Sequence, residues 1–169
     1  LTLTGADPQT DVWAYRLASL AGGIVAVLGT AWLGTILFGG AAGLVSGILM
    51  AGVFMLCFEA RIAKTDAVLL ASCVLAQAAL ARAYLAGNDQ ASDRSWLLFW
   101  LALGAGILIK GPIAPLLALT TVAALFVFDR DFSWFKRLRP LPGLLLMALV
   151  AAPWLIAITV KSGGAFWAE

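Results

Sequence analysis

Histidine is absent from this 169-residue chain, which removes the commonest general base and the commonest zinc ligand. Any chemistry must therefore run on carboxylates, lysines and arginines. Charge is scarce as well: 12% of residues are charged against 63% hydrophobic, and the mean hydropathy is +1.00. So little polar surface cannot cover a water-soluble globule of this size, and an integral membrane protein is what remains. Cysteine is limited to Cys57 and Cys73, both in apolar helical context, where a free thiol behaves as a small hydrophobe. Alternating strands of about ten residues are missing, which argues against a β-barrel. No phosphate-cradling P-loop, dinucleotide fingerprint or cysteine-based zinc spacing occurs. The chain starts at Leu1 without an initiator Met or a basic leader and stops at Glu169 after an aromatic cluster, so it reads as an internal fragment with no visible signal peptide.

What is present is apolar helix. Runs close to the roughly 20 residues needed to cross about 30 Å of hydrocarbon recur along the whole length. They predict an all-α polytopic membrane protein, one transmembrane unit over residues 1–169, with six spans at 15–38, 41–58, 66–86, 95–109, 113–128 and 144–160. The breaks carry turn chemistry: "FGGAAG", "AGNDQASDRS", "KGP" and "DRDFSWFKRLRPLPG". Arg130, Lys136, Arg137 and Arg139 make the last of these the cytoplasmic loop. Arg82 and Arg94 then flank a second cytoplasmic loop. The N-terminal segment, "EARIAKTD", "KGP" and the tail "KSGGAFWAE" share the opposite face, which gathers Glu59, Arg61, Lys64, Asp66, Lys110 and Lys161 there. The span ending at Ile109 gives only about 22 Å of helix, so Lys110 is expected below the water surface in a recessed, hydrated pocket.

Each charged site has a plain reading beside the functional one. "EARIAKTD" is either an ordinary loop with Thr65 or Asp66 capping the next helix and two snorkelling cations, or a cluster at the mouth of an apolar pocket suited to a ligand with a lipid tail and an anionic head. In "ILIKGPIAPLL", Lys110 completes one helix, Gly111 closes it and Pro112 opens the next; the lysine is also placed to hold phosphate. Arg16, beside Trp13 and Tyr15, is an interfacial anchor or a lipid-phosphate contact. Gly43 and Gly47 form a helix-contact spacing. The tail is a substrate-touching loop or an interface segment, and "DRDFSWFKRLRPLPG" reads as an amphipathic interfacial stretch and not as a nucleic-acid site.

"WAYRLASLAGG", "EARIAKTDAVLL", "GILIKGPIAPLL", "RLRPL" and "APWLIAI", in this order and spacing, resemble the family 39 glycosyltransferases. That family includes bacterial aminoarabinose lipid A transferases and protein O-mannosyltransferases. The likeness runs over essentially the whole chain, as the second helix through the seventh of a several-fold longer enzyme. It implies a membrane GT-C fold and an inverting transfer of a sugar from a polyprenyl-phosphate donor to an acceptor hydroxyl of a lipid, glycan or protein. It further implies a multi-pass protein of the bacterial inner membrane with its site facing the periplasm, and no cofactor or metal. Residue by residue, Asp66 matches the acidic start of the family's post-loop helix and Lys110 the lysine of its "KG" turn. Glu59, Arg61 and Lys64 match the loop before that helix, and Arg16 an arginine normally followed by "LPS", where Ala18 here replaces the proline. The expected catalytic carboxylates are thus Asp66 and Glu59, and the expected donor-phosphate ligands Lys110, Arg61, Lys64 and Arg16. The family's principal catalytic carboxylate lies upstream, so this segment alone is expected to be inactive. A transporter or lipid flippase subunit is the alternative; against it, no internal repeat is visible and the charges sit at one face.

Overall fold

In a computed structural model, residues 12–62, 64–86, 94–130 and 132–162 are described. They form helices α1 (Val12–Phe38), α2 (Gly40–Ala51), α3 (Phe54–Glu59), α4 (Asp66–Leu85), α5 (Ser95–Lys110), α6 (Ile113–Asp129) and α7 (Pro140–Ser162), with a 3₁₀ helix, Ser133–Leu138, between the last two. There is no strand among the described residues. Arg16–Phe38 and Asp66–Leu85 are long and apolar enough to cross a bilayer, whereas Gly40–Ala51, Ser95–Lys110, Ile113–Asp129 and Pro140–Trp154 are shorter apolar helices.

The stretch expected as one span over 41–58 is two helices. Gly52 lacks the side chain that would favour continued helix, its N–H bonds back to Ile48 and Leu49, and Val53 turns extended with ψ of 112°. The "FGGAAG" break shrinks to Gly39, whose φ of +90° suits a residue without Cβ, and helix resumes at the next residue. Within the "DRDFSWFKRLRPLPG" segment the 3₁₀ helix buries Trp134 and Leu138 against α4 and α5 and leaves Lys136 and Arg139 exposed.

Small residues hold the bundle together. On α1, Ser19, Gly22, Gly23, Ala26 and Gly29 recur at three- and four-residue steps and are all buried. A Cβ on Gly22 would stand 2.7 Å from the Val68 backbone nitrogen, and one on Gly29 would stand 3.0 Å from a Val74 methyl. The two helices therefore run parallel in near backbone contact, which only small side chains allow. Gly43 and Gly47 bring α2 back antiparallel against α1: a Cβ on Gly43 would lie 2.6 Å from the Ala31 carbonyl oxygen. Gly104 packs on Val150 and Met147, so α5 and α7 are parallel as well. Large apolar side chains, among them Leu28, Phe38, Leu44, Leu49, Phe128 and Leu149, point outward, the distribution expected where lipid surrounds the protein.

These directions give the bundle two polar ends. One holds the α3–α4 loop and the α5–α6 turn; the other holds the α6–α7 connection. At the second end the Arg137 guanidinium donates to the carbonyls of Ala83, at 3.2 Å, and Ala86, satisfying acceptors that the end of α4 leaves open. The Tyr84 hydroxyl donates to the Asp129 carboxylate, and the Trp100 Nε1–H donates to the Leu138 carbonyl at 2.7 Å. Gln77 crosses from α4 to α6, donating to Thr121 Oγ1 at 3.0 Å.

Two substitutions in the full-length protein test this packing. Gly22→Leu forces α1 from α4 and is expected to cost about 1–3 kcal/mol or more, read as a fall in unfolding temperature in detergent. Gly40→Ala, with open space around the added methyl, is expected to leave it unchanged. Arg137→Met strips two carbonyls of their donor and is expected to cost about 1–3 kcal/mol by the same measurement.

Candidate functional site

The α3–α4 loop folds back at the end of a short helix that stops at Glu59. Continuous helix would have thrown Glu59 and Lys64 to different faces. The break instead brings the Lys64 ammonium to 3.6 Å from Glu59 Oε1. Ser19 on α1 pins the loop, donating its buried hydroxyl to the Lys64 carbonyl at 2.5 Å. Thr65 occupies the N-cap position of α4 without a side-chain capping bond. The expectation that Thr65 or Asp66 caps this helix is therefore corrected: Asp66 is its first residue, and its carboxylate takes the Lys110 ammonium from the α5–α6 turn. There α5 ends at Lys110, Gly111 adopts φ of +72°, and Pro112 precedes the first turn of α6. Gly is needed at 111 because an L side chain is strained at that φ.

Asp66 and Lys110 thus join two helical hairpins at the same end as Glu59, Lys64 and Arg61. Their side chains remain 38% and 43% exposed, so the pair contributes at most about 1 kcal/mol to stability. Its use is positional. Of the three donors on an ammonium, one serves Asp66 and the others can face a ligand. The contact sets the end of α5 level with the start of α4.

Arg61 is exposed and closes one end of an apolar hollow of about 390 Å³ lined by Leu20, Ile24, Leu28 and Leu56. A second hollow, of about 340 Å³, lies between α3 and α4 and is bordered by both Glu59 and Asp66. Arg16 is exposed on α1, one turn before Ser19. Lys161 lies in the last turn of α7, which ends at Ser162; the rest of the "KSGGAFWAE" tail, from residue 163 on, lies outside the described residues, as does the loop over 87–93. Among the described residues, no group of three or more Cys, Asp or Glu side chains could hold a metal ion. Sequence reasoning missed Ser19, a lone serine in an apolar helix. The signal was its place in the small-residue series through Gly22, Ala26 and Gly29.

Comparisons with known proteins give the same picture. Residues 8–156 match the family model described as dolichyl-phosphate-mannose-protein mannosyltransferase. No curated protein sequence matches. Among solved structures, ArnT from Cupriavidus metallidurans, crystallised in the apo state, superposes with a TM-score of 0.78 at 21% identity, over 86% of this chain and 27% of ArnT. The chain thus spans about a quarter of that protein's length, and the likeness speaks for the fold. With the all-helical bundle, its small-residue seams and the matched region covering most of the sequence, the chain belongs to the dolichyl-phosphate-mannose-protein mannosyltransferase family of GT-C membrane glycosyltransferases.

Proposed function

We propose that this chain forms the donor-phosphate end of an inverting glycosyltransferase that moves a sugar from a polyprenyl phosphate to an acceptor hydroxyl at the extracytoplasmic face of a bacterial inner membrane. The observation that carries this reading is the Asp66–Lys110 pair beside Glu59, Lys64 and Arg61 at one end of an otherwise apolar bundle. A polyprenyl-phosphate sugar needs an apolar surface for its tail, cations for its phosphate and a carboxylate near the reacting hydroxyl. The hollow ending at Arg61 suits the tail. Lys110, with Arg61 and Lys64, would hold the phosphate and stabilise the charge that grows on it as the glycosidic bond breaks. Arg16 would add a contact from the lipid side. Asp66, fixed by Lys110, would position the base that takes the acceptor proton, with the Glu59 carboxylate next to it on the donor side. The lipid, glycan or protein that accepts the sugar would approach from water. A flippase would share the charged end but move its lipid without breaking a bond.

In the full-length enzyme, Lys110→Ala is expected to lower kcat/KM by about 10²-fold or more, and Asp66→Asn by about 10²-fold. Transfer of radiolabelled sugar from a polyprenyl phosphate reads both, with size exclusion in detergent showing that each variant is folded. Unchanged transfer in both variants removes the assignment, and transbilayer movement of the donor without transfer favours the flippase.

A further inference from the structure

The hollow between α3 and α4 holds a group that nothing else in the bundle explains. Glu59 has a side chain only 10% exposed, and its Oε2 is buried without a hydrogen-bond partner. Its other oxygen meets Lys64 at 3.6 Å, an ion-pair distance longer than a hydrogen bond. A buried carboxylate oxygen left without a donor is costly and rare in folded proteins. The hollow beside it is otherwise apolar, walled by Met50, Val53, Leu56 and Leu70, with Asp66 as the second acidic group on its border. Beyond the Asp66 carboxyl, which lies in hydrogen-bond contact with Glu59, no polar group of the hollow's lining reaches it.

We propose that Glu59 recognises the sugar of the lipid-linked donor, its free Oε2 accepting a hydrogen bond from a hydroxyl or ammonium on the ring while the apolar walls meet the ring's C–H face. This rests on the reading of the bundle end as a donor site. The placement follows from connectivity: the lysines paired with the two carboxylates, Lys64 with Glu59 and Lys110 with Asp66, flank this hollow. A phosphate between them presents the sugar attached to it directly to Glu59. A hollow of about 340 Å³ has room for one sugar ring. Glu59 is thus a specificity residue, distinct in its effect from the groups that hold the phosphate.

The experiment uses full-length enzyme with Glu59→Gln and with Glu59→Met, whose unbranched side chain has a similar shape. Thermal unfolding in detergent without donor is measured first. Lys64 is 54% exposed and loses little with its partner gone, so removing a buried unsatisfied carboxylate is expected to leave the unfolding temperature unchanged or raised. Transfer is then measured with polyprenyl-phosphate hexoses and pentoses and with deoxy analogues of whichever sugar the unaltered enzyme transfers. The unaltered enzyme is expected to reject one analogue by about 10- to 100-fold in kcat/KM, the worth of one hydrogen bond to a charged group. Both variants are expected to lose that discrimination, chiefly through KM. A variant that unfolds at lower temperature or fails to fold shows Glu59 to be structural and overturns the proposal, as does full discrimination retained in both variants. An unaltered enzyme that transfers no sugar overturns the donor-site reading and this assignment with it, whereas transfer with discrimination retained overturns only the role of Glu59.

Discussion

In a lipid-surrounded bundle, large apolar side chains gain little by turning inward, because hydrocarbon solvates them as well as a core does. Cohesion must come from close approach of backbones, and the rest of this structure follows from that constraint. The seam between α1 and α4 is made of Ser, Gly and Ala, with Gly22 against the backbone of Ala67 and Val68. Many leucines and phenylalanines face outward, while Leu80, Phe99, Leu103 and Leu138 fill a buried cluster among α4, α5 and the 3₁₀ helix. Because the helices touch along their length, their ends are held at matching heights, and the few charged residues can meet only there.

This is how a chain with so few charges assembles a polar constellation. Parallel packing of α1 on α4 carries Ser19 to the Lys64 carbonyl. The break after Glu59 turns what would be a diverging helix face into a folded loop. The Gly111 turn returns the chain at the level of Asp66, so that Lys110 closes the gap. The opposite end is built differently, from Arg137 on the last carbonyls of α4, Tyr84 on Asp129 and Trp100 on Leu138. One end is thereby sealed by side chains bonding backbone and each other. At the other, Lys110 and Lys64 keep exposed ammonium groups and Glu59 keeps an unanswered oxygen.

The helical character and the Lys110–Gly111–Pro112 turn were legible in the sequence because both rest on local chemistry: apolar runs of known length, and residues with restricted backbone choices. The family likeness was legible from motif order. The split of α2 from α3 was not, since Gly52 sits in an unbroken apolar run whose composition favours continuation. The Glu59–Lys64 pair depends on the fold of the loop after Glu59 and the Asp66–Lys110 pair on helices distant in sequence, so pattern alone left Thr65 or Asp66 as a cap. The docking of the charged 3₁₀ segment through Trp134 and Leu138 was not legible either, because it depends on packing against α4 and α5.

The central claim is that the α3–α4 loop and the α5–α6 turn stand together on one side of the membrane, with the α6–α7 connection on the other. Single cysteines at Thr65, Pro112 and Ser133, in a full-length protein whose Cys57 and Cys73 are replaced by serine, report it directly through labelling by a membrane-impermeant thiol reagent in oriented vesicles. The account predicts that positions 65 and 112 label from the same side and position 133 only from the other. Labelling of positions 65 and 112 from opposite sides would contradict it.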